Sequence, residues 1–223
     1  MTARGLFVTG TDTGVGKTRV AVALIHALRA QGLRVAAMKP VSAGSEPGEL
    51  NEDVTALLQA ANVAADIRDV NPYAFDQPVA PHIAAAQAGV RIELAVLTAA
   101  YSRLAAAADV VVVEGAGGWR VPLNEAEDMA DLAQMLGLPV VLVVGLRLGC
   151  INHALLTVEA ITARGLQIAG WVANRIDPAM LRFEENLATL QALIPEPLLG
   201  VVPHDAAGGA NAAAGYLQLP EAI

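Results

Sequence analysis

Two rhythms of apolar residues alternate along the chain. Short runs without polar interruption occur at Leu6-Phe7-Val8-Thr9, Arg34 to Met38, Asp109 to Val113, Pro139 to Gly145, Gln167 to Ala173 and Leu198 to Val202. Runs of this kind predict strands buried on both faces, the signature of a parallel sheet. Between them lie helical spacings: Val20, Ala23, Leu24, Ala27 and Leu28 before Gly32; Val54, Leu57 and Leu58 after Glu52; Ile83 to Gln87; Glu93 to Ala107; and Ala154 to Ala163. Strand and helix in alternation predict an α/β fold, a doubly wound and mostly parallel sheet with helices on both faces and right-handed crossovers. No repeat or linker interrupts the alternation, so residues 1–223 read as a single domain.

The polar punctuation is as informative as the apolar runs. Gly10-Thr11-Asp12-Thr13-Gly14-Val15-Gly16-Lys17-Thr18 joins the first strand to the first helix. A glycine-rich turn at a helix N-terminus wraps backbone N–H groups around a polyphosphate, with Lys17 reaching the β- and γ-phosphates and Thr18 offering its hydroxyl to Mg²⁺. The loop is a variant of the strict pattern, because Thr11 stands where that pattern has its first glycine. Lys39 follows the second strand, where residues line the ligand crevice of an open α/β sheet, and Pro40 is expected to stop that strand. Asp53 falls in a first helical turn, where helix-dipole complementation is the default role of a carboxylate. Glu114, before Gly115-Ala116-Gly117-Gly118, stands where nucleotide-binding folds keep a metal-facing acid. A proline-punctuated loop over residues 71–82 is placed to shape a substrate pocket. Gly149 to His153 opens another helix N-terminus on the same side of the sheet. The four histidines lack metal-ligand spacing.

Composition narrows the class. The chain is 55% apolar and 16% charged with a formal charge of −8, which argues against a nucleic-acid partner. The longest apolar run, Leu138 to Leu146, falls far short of the ~20 residues that span a bilayer, and no signal peptide is read at the N-terminus. One cysteine, Cys150, precludes an internal disulfide and fits a reducing compartment. The expectation is a cytoplasmic protein with no membrane partner. The Ala- and Gly-rich stretch 206–215 reads as a mobile loop.

Residues alone thus predict a P-loop NTPase-like, Mg²⁺-dependent user of a nucleoside triphosphate, a description that enzymes, pumps and switches share. The ordered set GTDTGVGKT (10–18), KPV (39–41), NPY (71–73), PH (81–82), VEGAGG (113–118), LGCINHALLT (148–157), WVAN (171–174) and PLLGVVP (197–203) resembles the dethiobiotin synthetase family over nearly the whole chain. That resemblance implies a ligase with ATP as co-substrate and Mg²⁺ as cofactor, acting on 7,8-diaminopelargonate and CO₂ or bicarbonate. It places Gly14, Val15, Gly16, Lys17 and Thr18 on the phosphates; Thr13, Lys17 and Lys39 at the reacting groups; and Thr18, Asp53 and Glu114 on Mg²⁺. It also places Asn174, Pro203, His204 and Asp205, with Asp53, around the nucleotide. Thr13, Lys39, Ser42, Gly149, Cys150, Ile151 and Asn152 are implied to hold the substrate, the last four on behalf of a partner subunit, which implies a homodimer with its sites at the interface.

Three departures from the family pattern carry expectations. Ala43 stands where a hydroxyl residue is common, Gly14 where a bulkier one occurs, and residues 206–211 offer no clear counterpart of an acid that assists base recognition. Weaker discrimination for adenine is expected, to be checked by comparing ATP, CTP and GTP turnover. A partition ATPase of the same broad fold would usually carry an extra lysine early in the phosphate loop, and none is present. An amidotransferase-linked ligase is the other rival, and no extra glutaminase domain is read in the chain.

Overall fold

Val110 to Val113 show how the sheet divides the molecule. In the computed structural model, which describes residues 4–46, 48–204 and 213–223, Val110 and Val112 join the apolar cluster on one face and Val111 and Val113 the cluster on the other. A strand alternates its side chains between faces, so a run of valines fills two cores at once. Each fully buried valine is worth roughly 1.5–3 kcal/mol over an exposed one.

In chain order the elements are β1 (Arg4–Gly10), α1 (Lys17–Ala30), β2 (Val35–Met38), β3 (Val41–Ala43), α2 (Glu52–Ala60), α3 (Ile67–Val70), β4 (Tyr73–Phe75), α4 (Pro81–Gln87) and α5 (Leu94–Ala107). Then follow β5 (Val110–Glu114), α6 (Met129–Leu136), β6 (Val140–Gly145), α7 (Cys150–Ala163), β7 (Ile168–Asn174), α8 (Phe183–Leu193), β8 (Leu198–Val202) and a 3₁₀ turn at Ala214–Tyr216. Six strands form one sheet in the order β2-β5-β1-β6-β7-β8, every pairing parallel. The chain leaves β1 for the β2 side and returns across it to β6, so a crevice opens at the carboxyl ends of β1 and β5. Phe7 of β1 packs edge-on to Trp119 in one core, while Leu6 and Val8 face α1 in the other.

The structure corrects several expectations. Pro40 ends β2 but not the extended chain: Val41–Ala43 resumes as β3 and pairs in parallel with Tyr73–Phe75, inside the stretch read as a proline loop. The third of the later helices begins at Cys150 and not at Ala154, since Gly149 takes φ 95° and turns the chain directly into it. Helices α3, α6 and α8 were not read from the sequence. Part of the stretch expected to be mobile, Ala213 to Gly215, is described as a buried alanine leading into the 3₁₀ turn; its other residues, 206–212, and Asp205 with them, lie outside the described residues. No helix among the described residues is long and apolar enough to cross a membrane.

Candidate active site

The phosphate loop owes its shape to two left-handed glycines. Gly14 has φ 73° and Gly16 φ 93°, values that L side chains resist. Around Gly16 there is also no room, because a Cβ there would overlap the Asn174 amide nitrogen. That amide donates to the Val15 carbonyl at 2.7 Å, tying the loop to the end of β7. Asp12 is the loop's other anchor. Its carboxylate accepts the Thr13 N–H at 2.7 Å and pairs with Arg147 at 2.5 Å, and its carbonyl accepts from Lys17 Nζ at 2.9 Å.

Beside the loop, four strand or helix ends converge on one charged cluster. Thr18, in the first turn of α1, donates to Asp53 Oδ1 at 2.7 Å and is also 2.8 Å from Glu114 Oε1. Lys39 Nζ reaches Asp53 Oδ2 at 2.8 Å and also bonds Glu114 Oε1. Asp53 is carried there by α2, whose first turn is capped by the Asn51 side chain. Glu114 ends β5 and is wholly buried, and its Oε2 has no hydrogen-bond partner among the described residues. Burial pushes the Glu114 carboxyl up. For Lys39 burial acts downward, but the adjoining Glu114 and Asp53 outweigh it and hold the ammonium above its usual range. Asp53 is pulled the other way: burial raises it, and the Lys39 cation more than reverses that. Lys17 falls from the ordinary 10.5 to about 8, first through burial and then through repulsion from Lys39.

These groups line a cleft of about 810 Å³ that takes in Thr13, Gly14, Gly16, Lys17, Thr18, Lys39, Ser42, Asp53 and Glu114, closed on one side by residues 78–81 and on another by Gly117, Gly118 and Val121. Of the other residues singled out from the sequence, Val15, Asn174, Gly149 to Asn152, Pro203 and His204 do not line it. Val15 is buried beneath the loop. Asn174 is also buried, and its Oδ1 has no partner among the described residues. Ser42 is buried at the cleft wall and donates its hydroxyl to Asn71 Oδ1 at 2.9 Å. Gly149, Ile151 and Asn152 lie at or near the surface at the start of α7, with Cys150 buried between them. Pro203 and His204 follow β8, where the His204 carbonyl accepts from Arg19 at 3.3 Å. Asp205 lies outside the described residues.

Sequence reasoning missed Asn71. Its amide donates to the Lys39 carbonyl at 2.6 Å and its Oδ1 takes the Ser42 hydroxyl, so one buried side chain fixes both ends of the segment that aims Lys39. The NPY motif stands out in the sequence, but spacing alone does not reveal that β4 pairs with β3 and brings Asn71 under Lys39. Arg147, which braces Asp12 from the loop after β6, was also missed.

The oxygen donors suit a hard divalent cation. Magnesium takes one or two carboxylates and completes its shell with water and phosphate oxygens. Two carboxylates, of which Glu114 keeps its Oε2 without a partner among the described residues, and one hydroxyl meet that requirement. Among the described residues no group of three or more His, Cys, Asp or Glu could hold a metal by itself.

Residues 4–211 match a family model described as an AAA domain. The chain is 58% identical over 220 residues to the ATP-dependent dethiobiotin synthetase BioD of Aromatoleum aromaticum, covering 97% of this chain and 98% of that protein. It is 55% identical over 202 residues to the enzyme of the same name from Nitrosospira multiformis, covering 91% and 89%. Among solved structures, the septum site-determining protein MinD complexed with Mg-ADP from Pyrococcus horikoshii superposes with a TM-score of 0.57, covering 95% of this chain and 86% of that one. At 16% identity that likeness concerns the fold alone.

Proposed function

The chain belongs to the dethiobiotin synthetase family, and from that premise we propose how its residues divide the reaction among them. It is an ATP-dependent ligase that makes dethiobiotin for biotin biosynthesis. The observation that carries the residue assignment is the pair of buried lysines, Lys17 and Lys39, facing two carboxylates and a hydroxyl across one cleft. The 223 residues act as one domain.

One amine of 7,8-diaminopelargonate adds to CO₂ and loses a proton, giving a carbamate. A carbamate oxygen then takes the γ-phosphoryl group as ADP departs. The second amine attacks the carbamate carbon, phosphate leaves, and the cyclic urea closes. Chemistry of this kind depends on positioning and charge stabilisation more than on a protein nucleophile. Lys39 is suited to hold the carbamate and the transferring phosphoryl, since its ammonium is buried, charged and aimed by Asn71. Lys17 binds the terminal phosphates, and Thr13 lies at the cleft mouth where the carbamate would form. Thr18, Asp53 and Glu114 would hold Mg²⁺, which supplies charge neutralisation on the phosphoryl oxygens when bound. The Asn174 Oδ1, without a partner among the described residues, supports a contact with the adenine amino group. Pro203 and His204, which follow β8, would border the same nucleotide; the Asp205 assignment rests on the family resemblance alone, since that residue lies outside the described residues.

The N–H groups of Gly149 to Asn152 are proposed to grip the substrate carboxylate of a partner subunit, in a homodimer whose sites lie at the interface. The apolar surface around that helix supports this reading: Leu148 is 94% exposed, Leu181 86% and Leu156 57%. The test is phosphate release by the purified protein with MgATP, omitting diaminopelargonate and bicarbonate in turn. Release that needs both, with dethiobiotin as product, is the expected result. Equal ATP turnover without either would overturn the assignment.

A further inference from the structure

Arg147 is tied at both of its ends, and the reaction scheme above uses neither tie. Its guanidinium donates to Asp12 Oδ2 at 2.5 Å, while Asp12 Oδ1 accepts the Thr13 N–H at 2.7 Å. Its carbonyl accepts the Cys150 N–H at 3.0 Å, closing the turn that opens α7. Only Leu148 and Gly149 separate Arg147 from Cys150. The residue before it is fixed as well, since the Leu146 N–H donates to the Asn174 carbonyl at 2.8 Å. One side chain thus joins the crest of the phosphate loop to the first turn of α7. Stability does not account for the pair, because the two side chains are 43% and 44% exposed and an ion pair so open to water adds little.

A nucleotide changes what Asp12 holds. Lys17 Nζ donates to the Asp12 carbonyl at 2.9 Å, a bond that breaks when the ammonium turns to the β- and γ-phosphates. Asp12 then loses a nearby cation as phosphate charge arrives beside it, and both changes draw the Arg147 guanidinium toward the loop. Its backbone carries that pull to the turn at Cys150. We propose that Arg147 is a positioning residue, which sets the start of α7 according to the occupancy of the phosphate loop, so that nucleotide and substrate carboxylate bind one chain interdependently. The proposal rests on the reading that α7 grips that carboxylate. Because the carboxylate there belongs to the partner subunit's substrate, the ion pair would link the two sites of a dimer. Arginine suits the task, since its charge is permanent and its fork of donors can keep hold of a carboxylate while the chain shifts.

Diaminopelargonate is titrated calorimetrically, in bicarbonate-free buffer, into the wild-type protein and its variants, with and without the magnesium complex of the β,γ-methylene analogue of ATP. The ratio of the two affinities is the coupling, and the analogue's affinity must change by the same ratio when the substrate is added first. Wild type should show a ratio of at least about fivefold. Arg147→Gln and Asp12→Asn should each remove most of that factor, and the double variant no more, as expected of two residues that act as a pair. Asp12→Asn keeps an oxygen for the Thr13 N–H, so a loss there reads the ion pair and not the turn. Arg147→Lys should restore part of the coupling, and each nucleotide-free variant should melt close to wild type. Equal ratios in wild type and Arg147→Gln would overturn the proposal; if both affinities had weakened together, Arg147 would be a direct substrate ligand instead. Ile151→Asp, titrated alongside, tests the α7 reading by itself. Weakened binding in that variant together with equal ratios overturns the proposal alone, whereas unchanged binding removes the α7 reading and the proposal with it.

Discussion

Lys39 is the residue whose role is most exposed to test. It neutralises Glu114, which is completely buried, and removing one partner of a buried pair costs about 3–5 kcal/mol because the other is left uncompensated. Lys39→Leu should therefore lower the melting temperature as well as turnover. If the lysine acts in transfer, kcat falls by about 10²–10³-fold while MgADP still binds; loss of nucleotide binding at a temperature where the variant is folded would make it a ground-state phosphate ligand instead. Lys17 offers a pH test. Its pKa in the folded protein is about 8 against an ordinary 10.5, so in the nucleotide-free protein the ammonium is lost as pH rises through about 8. ATP binds the charged form, so affinity should be flat below pH 8 and decline above it, by up to about tenfold per pH unit. Between pH 8 and 10.5 the unfolded chain holds the Lys17 proton that the folded one has released. This group then adds to stability as pH rises, the reverse of its effect on binding. Affinity measured from pH 7 to 10 against Lys17→Arg as control checks the first trend, and urea unfolding of the nucleotide-free protein checks the second.

At the scale of elements, the phosphate loop separates two costs that usually occur together. Gly14 and Gly16 both have positive φ, but a Cβ at Gly14 meets nothing within 4 Å, whereas one at Gly16 collides with Asn174. Gly14→Ala should cost only the backbone preference, about 1–2 kcal/mol. Gly16→Ala should cost that and the Asn174–Val15 hydrogen bond, and weaken MgADP binding well beyond the Gly14 variant. Equal effects in thermal melting and titration would show that the loop is held by backbone conformation and not by its tie to β7. Local chemistry also explains which elements could be read from sequence. β5 and β6 were legible because they are unbroken valine-rich runs. By contrast, α6 is capped by Asp128 and Asp131 in a reciprocal box, with Arg164 pairing to Asp131; the apolar residues Met129, Leu132, Ala133 and Leu136 would have revealed it beside that cap. α8 gave less signal still, since it buries only Leu187 and Leu190 and starts from Arg182 at φ 56° with no capping side chain.

At the scale of the whole molecule, the proposed dimer makes a quantitative claim. Lys39→Leu disables the cleft of its own chain, and Ile151→Asp places a carboxylate where the partner's substrate carboxylate would bind. Each variant alone should be inactive. After unfolding and refolding as an equal mixture, half the dimers are hybrids and one of their two sites is intact, so activity should recover to about a quarter of wild type. No recovery would mean that the Gly149–Asn152 loop serves its own chain or none. The sequence by itself determined the layered α/β fold, the phosphate loop and the ends of the buried strands, because burial on both faces and a glycine turn before a helix are local patterns that no distant contact has to supply. Lys39, Asp53 and Glu114 were identifiable as separate candidates by position and resemblance. Only the tertiary structure decided that one lysine bridges both acids, that Asn71 aims it through the β3–β4 pairing, and that Arg147 joins the phosphate loop to the start of α7. Those relations join residues that lie tens of positions apart and meet only after the strands have taken their order in the sheet, and spacing along the chain carries no record of that distance.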